Sequence, residues 1–282
     1  MERRTDVVAT GRVAVVTGAA SGIGLALSER LAREGMRVVM ADIEEPALAE
    51  AAQVLIGGGA QVLPVPTDVA SSEQVDALRD RALEAFGAVH LLCSNAGVTG
   101  LGRSLWEMTR ADWEWVLGVN LWGVIHGIRS FVPVLRNQDA AHIVNTASVA
   151  GLVAGTLGPY SVTKHAVIAL SEALYVQLLQ YGSNVGVSVL CPGWVRTQIL
   201  NSERNRPADL EPPEPDPAWA TAREVVRQLV DSGMEPAQVA TQVVDAVREG
   251  RFYVLTHPEM NDAIRRRTED VLAGGPPRLS PL

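Results

Sequence analysis

Cysteine is scarce in this sequence and basic residues are outnumbered, and both shortages exclude classes of protein. Only two of the 282 residues are cysteines, Cys93 and Cys191. Each lies in or beside an apolar run, which predicts buried, reduced thiols rather than a disulfide and fits a cytoplasmic environment. The formal charge is −8 at pH 7, and an acidic surface does not suit a protein that binds nucleic-acid phosphates. We therefore expect no nucleic-acid partner.

The sequence also lacks the patterns of a secretion signal and a membrane span. The first residues are charged and are followed by only a few apolar residues, so they lack the apolar core of a signal peptide. The stretches 140–163 and 173–195 contain no Asp, Glu, Lys or Arg and are long enough to span a membrane. Glycine, proline, asparagine, serine and threonine interrupt both stretches, so we interpret them as buried strand and loop and expect no membrane association.

Histidine is too sparse to indicate a metal site. The five histidines are scattered, and no two of them combine metal-ligand spacing with a third ligand nearby. We expect no catalytic metal.

Short apolar runs alternate regularly with longer segments of helical spacing. Continuous, partly β-branched runs are typical of strands covered on both faces. Such runs lie at 13–17, 38–41, 61–65, 89–93, 142–146, 185–191 and 252–255. Helical spacing occupies 23–34, 47–55, 71–86, 109–135, 160–181, 217–230, 236–249 and a last segment up to about 272. The alternation predicts an α/β fold, a single-domain Rossmann-type doubly wound parallel sheet of about seven strands with helices on both faces.

Two segments depart from this alternation within the single domain expected over residues 1–282. Residues 201–217 contain five prolines among acidic residues, which predicts an exposed loop. We expect this loop to belong to a substrate loop or lid at about 194–235. The tail from about residue 274 contains three prolines and is expected to be irregular.

A glycine-rich turn follows the first apolar run and opens the first helix. It reads Thr17-Gly18-Ala19-Ala20-Ser21-Gly22-Ile23-Gly24. Glycines allow the backbone to approach a pyrophosphate closely, and the helix that follows offers free N–H groups and a partial positive charge. A plain tight turn is the alternative. The pattern predicts that a dinucleotide is contacted by Gly18, Ser21, Gly22, Ile23 and Gly24.

Asp42 ends the second predicted strand, 18 residues after Gly24. A doubly wound fold places there the carboxylate that binds the ribose hydroxyls of NAD, and a carboxylate would repel the 2′-phosphate of NADP. Neither the glycine turn nor Ile43 supplies a base for that phosphate, and Arg37 lies at the other end of the strand, roughly 15 Å away. We predict a preference for NAD(H), with NADP(H) as a possible cofactor and an ordinary solvated aspartate as the alternative.

Asp68 and Val69 follow the third predicted strand in the same way. Since the carboxyl ends of parallel strands meet at one edge of the sheet, both residues are expected near the cofactor, with Asp68 against the adenine ring. The alternative is that Asp68 caps the helix that follows it.

Tyr160 and Lys164 form a Y-x-x-x-K pattern, and Ser148 lies 12 residues before the tyrosine. Side chains four apart on a helix share one face. A phenol is a poor acid or base at neutral pH, but a neighbouring ammonium lowers its pKa, so the pair is sensible as a general acid/base unit. A serine at a strand end could bind a substrate oxygen. An exposed Tyr–Lys pair and a loop-capping serine are the alternatives.

Taken together, residues from about 11 to 200 resemble the short-chain dehydrogenase/reductase family. The resemblance is carried by the T-G-x-x-x-G-I-G turn, by Y-x-x-x-K and by further motifs. Those further motifs are Asn95-Ala96-Gly97, Asn120 in Val119-Asn120-Leu121-Trp122-Gly123, and Pro192-Gly193 followed by Val195 and Thr197. The resemblance implies an oxidoreductase that moves a hydride between NAD(H) and an alcohol or ketone, with cofactor contacts by Asn95, Ala96, Gly97, Tyr160, Lys164, Pro192, Gly193, Val195 and Thr197.

The resemblance also implies a role for each catalytic residue. Tyr160 would transfer the proton to or from the substrate oxygen, and Ser148 would hold that oxygen. Lys164 would lower the pKa of Tyr160 and bind the nicotinamide ribose. Asn120 would hold a water that links Lys164 to solvent.

The substrate pocket and the assembly are less constrained. Trp194, Leu152 and Leu157 lie near the expected site, and an apolar pocket would favour a hydrophobic alcohol or ketone as the small-molecule partner. The family usually forms dimers or tetramers through its long helices and last strand, so a homodimer or homotetramer is expected. Two other functions stay open: an epimerase or other redox-assisted reaction on the same scaffold, and a non-catalytic NAD(H)-responsive binding protein.

Overall fold

The computed structural model describes residues 6–100, 104–208, 210 and 220–279, and within these ranges seven parallel strands form one sheet. The strand order is β3-β2-β1-β4-β5-β6-β7. The strands are β1 (Val13–Thr17), β2 (Arg37–Asp42), β3 (Val62–Pro66), β4 (Leu91–Ser94), β5 (Ala141–Thr146), β6 (Val185–Cys191) and β7 (Tyr253–Leu255). Each lies within two residues of its predicted position, which confirms the doubly wound fold.

Helices follow the strands. They are α1 (Gly22–Arg33), α2 (Glu45–Gly57), α3 (Ser72–Phe86), α4 (Arg110–Leu117), α5 (Gly123–Leu135), α6 (Pro159–Gln180), α7 (Ala220–Asp231), α8 (Pro236–Glu249) and α9 (Asn261–Ala273). A helix long and apolar enough to cross a membrane is not found among the described residues.

The core lies on both faces of the sheet because successive strand residues point in opposite directions. On β1, Ala14 and Val16 pack on the side of α1 and α8, while Val13 and Val15 pack on the side of α3 and α5. All five residues of β1 are buried, and this two-sided burial explains why the strands appear in the sequence as uninterrupted apolar runs.

The two cysteines lie in these buried layers. Cys93 and Cys191 are free and buried, as expected from their apolar surroundings. Burial raises the pKa of each thiol to about 12, so both stay protonated at neutral pH.

The predicted helix from Thr109 to about 135 begins as expected but is not uniform. Thr109 and Asp112 form a reciprocal capping box at its start. The segment Gly118–Trp122 between α4 and α5 is a π-helix. Such an expansion of an α-helix commonly marks a functional position, and this one contains Asn120.

The exposed loop predicted at 201–217 is wrong for its first part. Ile199–Asn205 forms a 3₁₀ segment in which Ser202 is buried. Arg206 follows with a side chain only 4% exposed; it pairs with Asp112 at 2.9 Å and lies 4.5 Å over the Trp115 ring. Residues 209 and 211–219 lie outside the described residues. Beyond the last helix, residues 275–279 form neither helix nor strand.

Candidate active site

A cleft opens at the carboxyl ends of the strands, where the winding of the sheet reverses between β1 and β4. Open α/β sheets bind their ligands at this switch point. The sequence-predicted site residues all line the cleft except Gly24, Asn120 and Leu152. The fold therefore brings together residues that are spread over about 180 positions of the sequence.

The glycine turn forms one wall of the cleft and is held by the neighbouring strand. Asn95 Nδ2 donates to the Thr17 carbonyl at 3.0 Å, and Thr17 Oγ1 accepts from the Asn95 and Ala96 backbone amides. A Cβ at Gly24 would lie 2.0 Å from the Gly18 carbonyl oxygen. Gly24 therefore does not face the cleft as predicted; it lets α1 approach the turn that does.

The beginning of α1 suits an anionic group. Its N-cap residue, Ser21, makes no side-chain capping bond, and the first turn carries no acidic residue. The first N–H groups of the helix are thus free of side-chain acceptors, next to glycines that leave room for a ligand. This donor set fits a pyrophosphate.

Asp42 is fixed at the end of β2 by the backbone on both sides of it. Its Oδ2 accepts from the Ala20 amide at 2.9 Å, and its Oδ1 accepts from the Glu44 amide at 3.0 Å. Each carboxylate oxygen keeps a further lone pair for a ligand hydroxyl. The arrangement fits a ribose diol and opposes a phosphate.

Asp68 lines the same end of the cleft without capping α3. The cap is Ser71, whose side chain accepts from the Gln74 amide. Asp68 Oδ1 accepts instead from the Ala70 amide at 2.9 Å. This fixed loop leaves Asp68 facing the cleft.

Ser148, Tyr160 and Lys164 meet at the opposite end of the cleft. Ser148 begins the short 3₁₀ segment Val149–Gly151 after β5, and its hydroxyl accepts from the Ala150 amide at 3.1 Å. Tyr160 lies in the first turn of α6, and the Lys164 Nζ lies 5.4 Å from the centre of its ring. Lys164 is 3% exposed and donates to the Thr146 carbonyl at 2.9 Å.

Burial dominates the acid–base properties of this group. It raises the pKa of Tyr160 above its ordinary value, although a hydrogen bond with Ser148 acts in the opposite direction. Burial also lowers the pKa of Lys164 to about 8. The net shift of the Tyr160 pKa is therefore upward, opposite to the lowering expected from Lys164, because burial disfavours the phenolate.

Asn120 lies in the π-helical turn behind these residues and is fully buried. Its amide donates to the Val98 carbonyl at 2.9 Å and to Thr163 Oγ1 at 3.2 Å, and its oxygen accepts from the Val98 amide. The side chain joins the loop after β4 to α6. Its contact with the cleft is thus indirect.

The predicted substrate-pocket residues separate into two groups. Leu157 and Trp194 line the cleft near Tyr160, whereas Leu152 packs into the core cluster that contains Val167 and Val189. Leu152 therefore packs away from the residues that line the cleft.

Several cleft residues were missed from the sequence. Four of them are apolar: Trp115 on α4, Val226 and Val230 on α7, and Met260 after β7. The other three, Ser202, Arg204 and Asn205, form a cluster in the 3₁₀ segment after β6. Apolar spacing on α7 could have pointed to Val226 and Val230. The cluster at 202–205 carried no recognisable signal, since the composition around it is typical of loops.

His257 was also missed. It lies after β7 and holds the loop that follows β6 by two hydrogen bonds. Its Nδ1 accepts from the Gly193 amide at 3.1 Å, and its Nε2 donates to the Trp194 carbonyl at 3.0 Å. A Cβ at Gly193 would come within 2.8 Å of the imidazole. The segment after β7 therefore sets the position of the loop after β6.

A model of the short chain dehydrogenase family matches residues 12–208. A crystal structure of a short chain dehydrogenase/reductase from Burkholderia phymatum in complex with NAD is 46% identical, covers 100% of this chain and 99% of that one, and superposes with a TM-score of 0.94. A "CLA biosynthesis dehydrogenase/reductase" of Lactiplantibacillus plantarum is 35% identical over 94% of this chain and 95% of that protein. A "1-deoxy-11-beta-hydroxypentalenate dehydrogenase" of Streptomyces exfoliatus is 37% identical over 92% and 88%.

Proposed function

Because the chain belongs to the short-chain dehydrogenase/reductase family, it transfers a hydride between a nicotinamide cofactor and an alcohol or ketone, and we propose that it uses NAD(H), with Tyr160 moving the proton. When bound, the nicotinamide supplies or accepts the hydride. The glycine turn and the start of α1 would hold the pyrophosphate, Asp42 the adenosine ribose, Lys164 the nicotinamide ribose, and the segment from Pro192 to Thr197 the nicotinamide end.

Tyr160 is the proton-transferring group of this proposal. In the reducing direction it donates its hydroxyl proton to the substrate oxygen, and its raised pKa keeps that proton in place at neutral pH. Ser148, which follows β5 and whose hydroxyl donates to the Pro192 carbonyl at 3.3 Å, would orient the same oxygen. The two hydroxyl groups thus converge on one atom of the substrate.

Lys164 and Asn120 form the route by which the proton of Tyr160 is replaced. A buried amine with a pKa of about 8 exchanges a proton near neutral pH more readily than an ordinary lysine. Asn120 holds α6 against the loop after β4, and the water it would bind connects Lys164 to solvent.

The observation that carries the cofactor proposal is the fixed carboxylate of Asp42 at the end of β2. Both of its oxygens are held by backbone amides, so the negative charge cannot move away from a 2′-phosphate. The solved relative that contains NAD supports the same choice.

Titration of the purified protein with NADH and with NADPH tests this proposal. We expect NADH to bind at least about tenfold more tightly, since a phosphate close to a carboxylate is repelled. Asp42→Asn keeps the shape of the side chain and removes its charge, so it should narrow the difference between the two cofactors. Tighter binding of NADPH by the unaltered protein would contradict the proposal.

The substrate side of the cleft is apolar. Leu157, Trp194, Val226, Val230 and Met260 line it beside Tyr160, and such a wall favours a hydrophobic substrate over a heavily hydroxylated one. We therefore propose a hydrophobic secondary alcohol or ketone. A panel of ketones of increasing apolar size, assayed by NADH consumption, should show kcat/KM rising with apolar size.

We propose a cytoplasmic location, which suits a chain with two free, buried thiols. We also propose a homo-oligomer, which exposed apolar side chains on α6 support. Val162 and Val176 are 48% and 50% exposed on this helix, and burying them against a second copy would stabilise it. Val176→Glu should lower the mass measured by light scattering. Val271→Glu, at a 65% exposed position on α9, is the matched control and should not; a monomeric unaltered protein would exclude the assembly.

A further inference from the structure

An ion pair joins two distant parts of the chain beside Asp42. The turn after β2 contributes Glu44, and the 3₁₀ segment Ile199–Asn205 contributes Arg204 and Asn205. Glu44 Oε1 accepts from Arg204 Nη2 at 2.5 Å and from Asn205 Nδ2 at 2.9 Å, and Glu44 Oε2 accepts from Arg204 Nε at 3.1 Å. All three residues line the cleft, so the pair lies at its adenosine end.

Arg204 supplies the positive charge of this region. Among the described residues that line the cleft, lysine and arginine side chains occur only at Lys164 and Arg204, and Lys164 lies at the catalytic end. A 2′-phosphate is bound best by a planar guanidinium that offers two parallel N–H groups. The sequence therefore does hold a base for NADP(H) near Asp42, but 160 residues along the chain from Glu44.

The guanidinium of Arg204 is already occupied. Two of its nitrogens donate to Glu44, and Nη1 donates to the Asn201 carbonyl at 2.8 Å, with the Gln198 carbonyl at 3.4 Å. The hydrogen bond from Arg204 also holds the pKa of Glu44 below its usual value, so the carboxylate is ionised at neutral pH. A phosphate would have to displace a carboxylate that holds the guanidinium with two hydrogen bonds.

We infer that Glu44 is a specificity-determining residue, which excludes NADP(H) by keeping Arg204 in this pair and away from the 2′-phosphate. The inference rests on the proposed preference for NAD(H) and gives that preference a second structural cause besides Asp42. The Glu44 amide donates to Asp42 Oδ1, so one turn places both carboxylates. Asp42 repels the phosphate, and Glu44 withholds the cation that would attract it.

Binding of NADH and NADPH to three variants tests the inference through dissociation constants, without turnover. Glu44→Gln removes the charge that holds Arg204, so the affinity ratio of NADPH to NADH should rise about three- to tenfold over that of the unaltered protein. Glu45→Gln is the matched control, because it makes the same change of charge one residue further on, at an exposed position. It should change the ratio less than about twofold. In the double variant E44Q/R204Q, the gain should disappear.

The outcomes separate this inference from the proposed function. If the unaltered protein binds NADPH more tightly, both the NAD(H) preference and the role of Glu44 are wrong. If it prefers NADH, but E44Q behaves like E45Q, only the role of Glu44 is wrong. A gain that persists in E44Q/R204Q also overturns the inference, since the loss of negative charge alone would then explain it. Thermal unfolding of each variant confirms that it is folded before binding is measured.

Discussion

Tyr160→Phe should lower kcat by roughly 10²- to 10⁴-fold while changing the dissociation constant of NADH by less than about threefold. The substitution removes only the hydroxyl, the atom that the proposed mechanism uses to move the proton. The ring and its place in the first turn of α6 stay unchanged, so the cofactor side of the cleft should be undisturbed. Steady-state kinetics and an NADH titration on the same preparation measure both quantities.

The matched control for this variant is Tyr175→Phe. It makes the same change on the same helix, at a partly exposed position whose ring packs against Phe252 with 5.2 Å between ring centres. Its kcat should stay close to that of the unaltered protein. Near-normal turnover by Tyr160→Phe would remove Tyr160 from the mechanism, and a large loss in both variants would mean that the helix had been disturbed.

Lys164→Met should affect activity and stability in opposite directions. Removing the amine that exchanges protons with Tyr160 should lower kcat by at least about 10²-fold. At pH 7 the same change should raise the free energy of unfolding by up to about 3.5 kcal/mol, because the pKa of Lys164 falls from 10.5 to about 8 and each unit corresponds to about 1.4 kcal/mol. The chain would thus sacrifice stability for function at this position.

The gain in stability should depend on pH in a defined direction. Between pH 8 and 10.5 the unfolded chain binds a proton on Lys164 that the folded chain does not. The penalty for burying the ammonium is therefore complete below about pH 8, and it shrinks as the pH rises towards 10.5. The raised pKa values of Cys93 and Cys191 act in the opposite direction above about pH 9. Lys164 lowers the pKa of Cys191, so its removal would raise that pKa further; both thiols therefore stay protonated at pH 9.5 in both folded proteins, and their contributions cancel in the difference.

Urea unfolding of the unaltered protein and of Lys164→Met, at pH 7 and at pH 9.5, measures this difference. Lys164→Arg replaces the side chain but keeps a positive charge at the site, so it should be no more stable than the unaltered protein. This control separates the effect of removing the buried charge from the effect of replacing the lysine. The explanation by burial fails if Lys164→Met is destabilised at pH 7, or if its advantage is the same at both pH values.

The regular part of the fold was predictable because its strands and helices are determined by residues that lie close together in the sequence. Each strand between two helical layers is a short apolar run, and Gly18, Asp42 and Tyr160 lie at fixed places relative to those runs. The capping box of Thr109 and Asp112 spans only four residues. Features of this kind depend on local chemistry, so a single sequence suffices to find them.

The predictions that failed concern features that depend on contacts between residues distant in the sequence. The segment after residue 200 has the composition of a loop, yet Arg206 is buried against Asp112 and Trp115, which lie about 90 positions earlier. The π-helical turn at Asn120 has no distinct apolar period. The pKa of Tyr160 is set by how much of the surrounding protein excludes water from it, and no spacing between Tyr160 and Lys164 contains that information.

Lys164 is the only lysine in the sequence, alongside 23 arginines, and its amine is almost completely enclosed. Apart from the amino terminus, an acylating reagent for amines therefore has one side-chain target in the sequence, and it reaches that target only in molecules whose site has opened. The rate of acylation reports the free energy of that opening directly, in the way that amide hydrogen exchange reports local unfolding. Because the one lysine of the sequence is buried at the proposed catalytic site, its acylation measures how often that site opens.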